Sequence, residues 1–137
     1  MKGGTKSVKG KIEKIKKFSK HDYLEVLLKI LKIINFKYYL MNIVIKPSHL
    51  ENKKFDAVID GGRKTIPFGA KGFSDMTQHK NEARKNKYID RHKKRENWND
   101  PRTAGFYSRW LIWNKPTLSE SIKDTNKRFK NINVKIR

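Results

Sequence analysis

The stretch KYYLMNIVIKPSHLENKKFDAVIDGGRKTIPF (37–68) decides the fold of this chain. It contains three runs in which apolar residues alternate with other residues, a pattern typical of strands with one buried face. The runs cover 37–46, 54–59 and 64–68. The predicted buried face carries Tyr39, Met41, Ile43 and Ile45 in the first run and Phe55, Ala57 and Ile59 in the second.

Turn residues separate these runs. Pro47 and Ser48 end the first run, and the sequence DGGR (60–63) is typical of the tight turn that joins antiparallel strands. Pro67 has no N–H to donate to a neighbouring strand, so it indicates that the third strand lies at a sheet edge. The three runs therefore predict a three-stranded antiparallel meander.

Three helices are predicted after the meander. They cover about 81–92, 103–115 and 117–129. Asn81 opens the first helix, and Thr117 with Glu120 forms the capping-box sequence T-x-x-E of the third. The tail NINVKIR alternates Ile132, Val134 and Ile136 and is suited to add a strand. Together these elements predict an α+β fold in which the meander packs on three C-terminal helices.

The aromatic residues of the second predicted helix have two interpretations. They are Phe106, Tyr107, Trp110 and Trp113. Proteins that bind single strands stack bases on such rings. Their helical spacing instead favours packing in the protein core, which is the interpretation that we adopt.

The first 36 residues are predicted to form a basic helical extension. Val8, Ile12, Ile15 and Phe18 recur among lysines at the spacing of one helix face. A second, wider stripe is expected to dock on the core, and it consists of Leu24, Leu27, Leu28, Leu31 and Ile34. We therefore divide the chain into an N-terminal arm, 1–36, and a small α+β domain, 37–137.

Positive charge is the dominant chemical property of the chain. Its 137 residues include 34 Lys and Arg against 13 Asp and Glu, a net charge of +21 that is spread over both halves. About a quarter of the residues are Leu, Ile, Val or Phe, which is enough to build a folded core. The absence of Cys excludes disulfides, thiolate zinc sites and Cys nucleophiles. Such a chain is predicted to bind a polyanion or an acidic protein surface.

The segment HKNEARKNKYIDRHKK (79–94) provides the candidate binding site. It has few apolar residues, and its helical spacing places several cations along one side, as in helices that contact phosphates. Trp98 follows in a polar loop and is the aromatic residue best suited to an exposed contact. A solvated charged face is the alternative interpretation. The candidate residues are Lys80, Arg84, Lys87, Arg91, Lys94, Arg95 and Trp98.

The N-terminal arm is a second candidate contact region. Its candidate residues are Lys9, Lys11, Lys14, Lys16 and Lys17. Three alternatives remain open from the sequence: the arm lies on an anionic membrane surface, enters an acidic groove of a partner, or docks on its own domain. The most apolar stretch, 24–34, contains Lys29 and Lys32 and is too short to span a membrane.

Catalytic and metal chemistry have weaker support. Asp56, Asp60 and Lys64 are spaced by four residues and are the set from which a Mg²⁺-dependent nuclease could be built. Turn formation already explains Asp60. His79 and His92 flank the basic helix without a clear third zinc ligand. We therefore expect no enzyme, no cofactor and no metal.

Several motifs between residues 38 and 129 resemble an uncharacterised small protein family of giant nucleocytoplasmic large DNA viruses of mimivirus-like and phycodnavirus-like type. The motifs are IVIKPS, KKFDAVIDGGRKTIPF, FGAKGFSD, YIDRHKK, ENWNDP, TAGFYSRWLIWNKPTL and SIKD. The resemblance implies a viral origin and favours a virion component, since small basic proteins in such viruses often serve as capsid cement or in genome packaging. It implies no activity and no catalytic residue.

These observations lead to three ranked hypotheses. The first is a non-catalytic structural protein of a large DNA virus, most simply a minor capsid component that bridges acidic surfaces of major or other minor capsid proteins. Its expected location is the virion and, during assembly, the virus factory in the host cytoplasm. The second is a basic DNA- or RNA-binding accessory protein for genome packaging, replication or transcription. The third is the Mg²⁺-dependent nuclease.

Overall fold

The structure is a computed structural model that describes residues 19–38 and 40–137, without the side chains of 35–38. The chain divides into two units, and the division lies between Tyr39 and Leu40. The first unit contains helix α1 (Lys20–Tyr38). The second contains every other described helix and strand. The predicted arm residues lie outside the described part of the chain, and they are Lys9, Lys11, Lys14, Lys16 and Lys17.

Helix α1 starts at a reciprocal cap. The Ser19 hydroxyl accepts a hydrogen bond from the Asp22 N–H, and the Asp22 carboxylate accepts one from the Ser19 N–H. The five apolar residues of the predicted wide stripe are between 43 and 58% exposed. Within the described ranges, no helix combines the length and the apolar character needed to cross a membrane.

A four-stranded sheet forms the centre of the second unit. Its strand order is β3-β2-β1-β4. The first three strands form the predicted antiparallel meander, which places β3 and its Pro67 at an edge. The tail adds β4, which pairs parallel to β1. The strands are β1 (Met41–Pro47), β2 (Lys53–Ile59), β3 (Lys64–Ala70) and β4 (Ile132–Ile136).

Strand register places the predicted apolar residues of the described strands on one face of the sheet, whereas Tyr39 lies outside the described residues. Ile43 is opposite Ile59 across the antiparallel pair and opposite Val134 across the parallel pair. All three are buried. Strand β1 begins at Met41 and not at Lys37, because the helical pattern of the preceding residues continues and α1 runs to Tyr38.

The turn between β2 and β3 has the backbone that its sequence predicts. Three consecutive residues have positive φ: Asp60 at 49°, Gly61 at 73° and Gly62 at 112°. Glycine adopts such angles without a Cβ clash, and Asp tolerates them better than most residues. The Asp60 carboxylate also accepts a hydrogen bond from the Asn42 N–H at 3.0 Å. Asp60 therefore stabilises the end of the meander.

The helices begin at the predicted capping residues. Asn81, Thr103 and Thr117 each accept a hydrogen bond from a backbone N–H of the following turn. Asp75 caps a short helix in the same way. The second predicted helix is split into α4 and a π-helical turn. The elements are α2 (Met76–His79), α3 (Glu82–His92), α4 (Ala104–Tyr107), the π-helical turn (Ser108–Ile112) and α5 (Leu118–Arg128).

Aromatic residues of α4 fill the core beneath the sheet. Phe106 and Tyr107 are completely buried, and each ring contributes roughly 1.5–3 kcal/mol through burial. Tyr107 packs on Phe68 of β3 with ring centroids 5.6 Å apart. Trp110 and Trp113 are partly buried against the same core. The core interpretation of the aromatic cluster is therefore confirmed, and the second unit has the predicted α+β class with one additional strand.

Candidate functional site

A cleft of about 670 Å³ lies on one side of the second unit. Its lining comes from β2, the end of β3, the segment after β3, α3 and the α4 region. Gly69 and Gly105 belong to the lining and pack closely, since a Cβ would lie 3.1 Å from Ile112 at Gly69 and 2.8 Å from Glu96 at Gly105. Its volume falls in the range of clefts that bind small ligands or single residues of a polymer.

Cations of α3 line this cleft. Arg84, Lys87 and Arg91 are separated by three and four residues, so they lie on the same face of the helix. All three side chains are exposed. The Asn81 cap fixes the start of α3, and the Arg84 guanidinium donates a hydrogen bond to the Ser74 hydroxyl at 3.1 Å. The cleft therefore has an ordered row of positive charge along one wall.

Two carboxylates also line the cleft, but each is already paired. Asp75 accepts a hydrogen bond from the Lys54 ammonium at 2.6 Å. Glu96 contacts His92 Nδ1 at 2.9 Å through one oxygen. Its other oxygen accepts a hydrogen bond from the Trp98 indole N–H at 2.7 Å. Neither carboxylate forms an ion pair with an α3 cation, and Lys54 offsets the charge of Asp75.

The excess charge of the cleft follows from this pairing. Lys53, Arg84, Lys87 and Arg91 line it and form no ion pair with a carboxylate within residues 40–137. In the same range, five of the 23 lysines and arginines form such a pair. Unpaired cations at a concave surface attract an anion, because the field is strongest inside the concavity.

Stacked rings form the rigid part of the cleft wall. The Tyr88 and Trp113 rings are nearly parallel, with centroids 4.6 Å apart, and Tyr88 also stacks on His92. Tyr88 is only 5% exposed, and burial raises the pKa of its hydroxyl, so the ring remains neutral. These contacts hold α3 against the α4 region and thereby fix the position of the cation row.

The structure separates the predicted binding residues into groups. Arg84, Lys87 and Arg91 line the cleft together. The Lys80 ammonium donates a hydrogen bond to the Pro116 carbonyl at 2.8 Å, so it joins α2 to the region before α5. Lys94 and Arg95 follow α3 as exposed residues that do not line the cleft.

Trp98 has structural partners. Its indole N–H donates to Glu96, and its carbonyl accepts a hydrogen bond from the Trp110 indole N–H at 2.6 Å. The Arg109 guanidinium lies 5.6 Å from the Trp98 ring centroid and 4.4 Å from that of Trp110. Burial, with help from the nearby Arg128, lowers the pKa of Arg109. Trp98 is therefore half-buried and belongs to a packed cluster of rings and guanidinium groups.

Sequence reasoning did not select two residues that complete the cleft. Lys53 comes from β2, and its only sequence signal is a charge at the start of an alternating run. Phe73 follows Gly72 in the segment between β3 and α2, and its side chain is 74% exposed. The sequence signal for Phe73 was its position as a large apolar residue in a segment that contains Gly and Ser.

The carboxylates considered for a nuclease have separate structural partners. Asp56 is completely buried, and its oxygens accept hydrogen bonds from the Ser48 hydroxyl and the His49 N–H. Asp60 directly follows β2, and its carboxylate accepts a hydrogen bond from the Asn42 N–H. Among the described residues, no group of three or more Asp, Glu or His is arranged to hold a metal ion.

The two histidines that flank the basic helix also have structural partners. His79 Nδ1 accepts a hydrogen bond from the Asn81 N–H at 2.9 Å, and its ring packs on Trp113. Burial and the nearby Arg84 lower the pKa of His79, which favours the neutral ring. His92 pairs with Glu96, as described above.

Comparison with protein families gives one match. The model of a family of unknown function, DUF5754, matches residues 43–92, which extend from β1 to the end of α3. The match covers just over a third of the chain and includes the cation row. No curated protein and no solved structure matches the chain. The comparisons therefore assign no activity to the cleft.

Proposed function

We propose that the unit formed by residues 40–137 binds nucleic acid through the basic cleft. The observation that supports this proposal is the row of Arg84, Lys87 and Arg91, which lines a concave surface and forms no ion pair with the carboxylates of that surface. Lys53 adds a fourth cation from the neighbouring strand. Phosphate groups are the anions that such a row fits best, because successive phosphates present charge at regular intervals along one strand.

The proposed contacts have a characteristic dependence on salt. Each phosphate that a cation neutralises releases condensed counterions, so the logarithm of the binding constant falls with the logarithm of the salt concentration. The slope is about −0.9 per contact on duplex DNA and about −0.7 on single strands. The three α3 cations are therefore expected to contribute roughly 2–3 units of slope.

A matched pair of triple variants tests this proposal. The first replaces the cleft cations: Arg84→Gln, Lys87→Gln and Arg91→Gln. The control removes the same charge from three exposed lysines in α5 and just after it: Lys123→Gln, Lys127→Gln and Lys130→Gln. Fluorescence anisotropy with labelled oligonucleotides at several salt concentrations should give a shallower slope for the cleft variant. Equal slopes for both variants would show that net charge alone binds the nucleic acid and would contradict the proposal.

The second candidate function is contact with acidic protein surfaces in a virion. The observation that favours it is the spread of exposed cations over elements other than α3, which suits a protein with neighbours on several sides. Examples are Arg63, Lys71, Lys123, Lys127 and Lys135. Mass spectrometry of purified particles tests this candidate, which requires the protein to be present in them. Detection only in the cytoplasm of infected cells would count against it.

A further inference from the structure

We infer that the cleft takes single-stranded nucleic acid and stacks an unpaired base on Phe73. This inference rests on the proposed function and adds the class of ligand. Its basis is the position of an exposed aromatic ring in the same cleft as the unpaired cations.

Phe73 is the most exposed large apolar side chain in the described part of the chain, at 74%. It lines the basic cleft and also a second cavity of about 670 Å³, whose lining includes Lys71 and Thr77. It forms no ring contact with another aromatic residue in the described ranges. The ring is therefore available to a ligand that enters the cleft.

The backbone that carries Phe73 is held by a buried ion pair. The Lys54 ammonium donates hydrogen bonds to the Phe73 carbonyl at 2.6 Å, to Asp75 at 2.6 Å and to the Gln78 side chain at 2.9 Å. Gly72 has φ of 90°, an angle that glycine allows and that redirects the chain just before the ring. The segment is thus ordered before a ligand binds, which reduces the entropy lost on binding.

The other aromatic residues of the cleft are already occupied. Tyr88 and Trp113 stack on each other, and Tyr88 also contacts Trp98 with ring centroids 6.4 Å apart. Phe68 is buried and packs on Tyr107. Phe73 is therefore the cleft aromatic residue that is suited to receive a base.

Stacking of a base on Phe73 favours single-stranded nucleic acid over a duplex. In a duplex, both faces of every internal base are covered by neighbouring base pairs, so a protein ring can stack only after a base is unstacked at a cost of a few kcal/mol. In a single strand, this cost is small, and stacking on an aromatic side chain contributes about 1–3 kcal/mol per base. The cations beside Phe73 bind the flanking phosphates of the same strand.

The experiment measures binding of the full chain to a labelled 20-nucleotide oligothymidylate and to a duplex of the same length, close to physiological salt. The wild-type protein should bind the single strand more tightly. Phe73→Ala should weaken this binding about 5- to 100-fold without changing the salt slope. Phe73→Trp should retain the affinity of the wild type, since its ring still stacks. Leu50→Ala removes another exposed apolar side chain, outside the cleft lining, and should have no effect.

The outcomes separate this inference from the proposed function. If Phe73→Ala binds like the wild type while the triple cleft variant loses salt slope, the stacking role is overturned and nucleic-acid binding stands. If the duplex binds as tightly as the single strand, the preference is overturned. If the wild type binds neither probe, the proposed function fails as well. Circular dichroism of each variant checks that the fold is intact.

Discussion

Replacing Lys54 by Met tests whether the buried pair with Asp75 organises the cleft. The Lys54 side chain is 15% exposed and that of Asp75 is 3% exposed. Met keeps most of the apolar stem that packs near Gly69 and removes the ammonium. The change removes a donor from the Phe73 carbonyl, from one oxygen of Asp75 and from the Gln78 side chain, which keeps its hydrogen bond from the Asp75 N–H.

The size of the effect follows from these lost contacts. Removing one partner of a buried ion pair typically costs about 3–5 kcal/mol, because the other charge remains desolvated and unpaired. Asp75 keeps its hydrogen bonds with the Thr77 N–H and hydroxyl, so we expect the lower end of this range, about 3 kcal/mol. In a urea titration this loss corresponds to a midpoint about 1–3 M lower.

Two comparisons make this prediction specific. Lys71→Met removes the same charge from an exposed position and should change the free energy of unfolding by less than about 0.5 kcal/mol. In a double-mutant cycle, Lys54→Met combined with Asp75→Asn should cost less than the sum of the single changes, by about 1–3 kcal/mol. A cycle that is additive, or a Lys54→Met midpoint equal to that of Lys71→Met, would refute the role of the pair.

Two further predictions concern the framework around the cleft. Burial raises the pKa of Asp56, but its hydrogen bonds with His49 and Ser48 outweigh burial and hold the pKa below the usual 3.8. Its stabilisation is therefore complete above about pH 5 and is lost as pH falls through the lowered value. Asp56→Asn should lower the free energy of unfolding by about 2 kcal/mol at pH 7, and by progressively less as the pH falls below 3.8. A difference that is independent of pH would contradict this. In Gly105→Ala, the new Cβ would lie 2.8 Å from a Glu96 oxygen. Thermal unfolding should therefore show a free energy of unfolding that is about 1–2 kcal/mol lower than that of the wild type. This decrease should disappear when Gly105→Ala is made in a Glu96→Ala background. If the decrease persists in that background, contact with Glu96 is not its cause.

Local sequence signals predicted most of the secondary structure. The alternation in β1 and β2, the glycines with positive φ after Asp60, and the caps at Asn81 and Thr117 each act within a few residues. Such signals depend little on the rest of the fold, so they are readable from the sequence. The same is true of the α3 cation row, because helical spacing alone places Arg84, Lys87 and Arg91 on one face.

Other features depended on contacts between distant residues. Lys80 precedes the helix of the cation row and belongs to the same basic segment of the sequence, but the Pro116 carbonyl, 36 residues later, accepts its hydrogen bond. The alternation of Ile132 and Val134 indicated a strand, and it did not indicate the parallel pairing with β1. The sequence also predicted that the first strand begins at Lys37, whereas α1 runs to Tyr38 and β1 begins at Met41. Aromatic residues such as those near Tyr38 suit either a helix or a strand.

By itself, the sequence determined that this protein is strongly basic, lacks thiol chemistry and folds as a meander with helices that follow it. Charge, composition and short-range periodicity are properties of the chain, so they hold in any arrangement of its elements. Only the tertiary structure decided that Lys53, Phe73 and the α3 cations share one cleft, and that Lys54 and Asp75 neutralise each other beside it. Those relations arise from packing, which brings together side chains that are up to several tens of residues apart in the sequence.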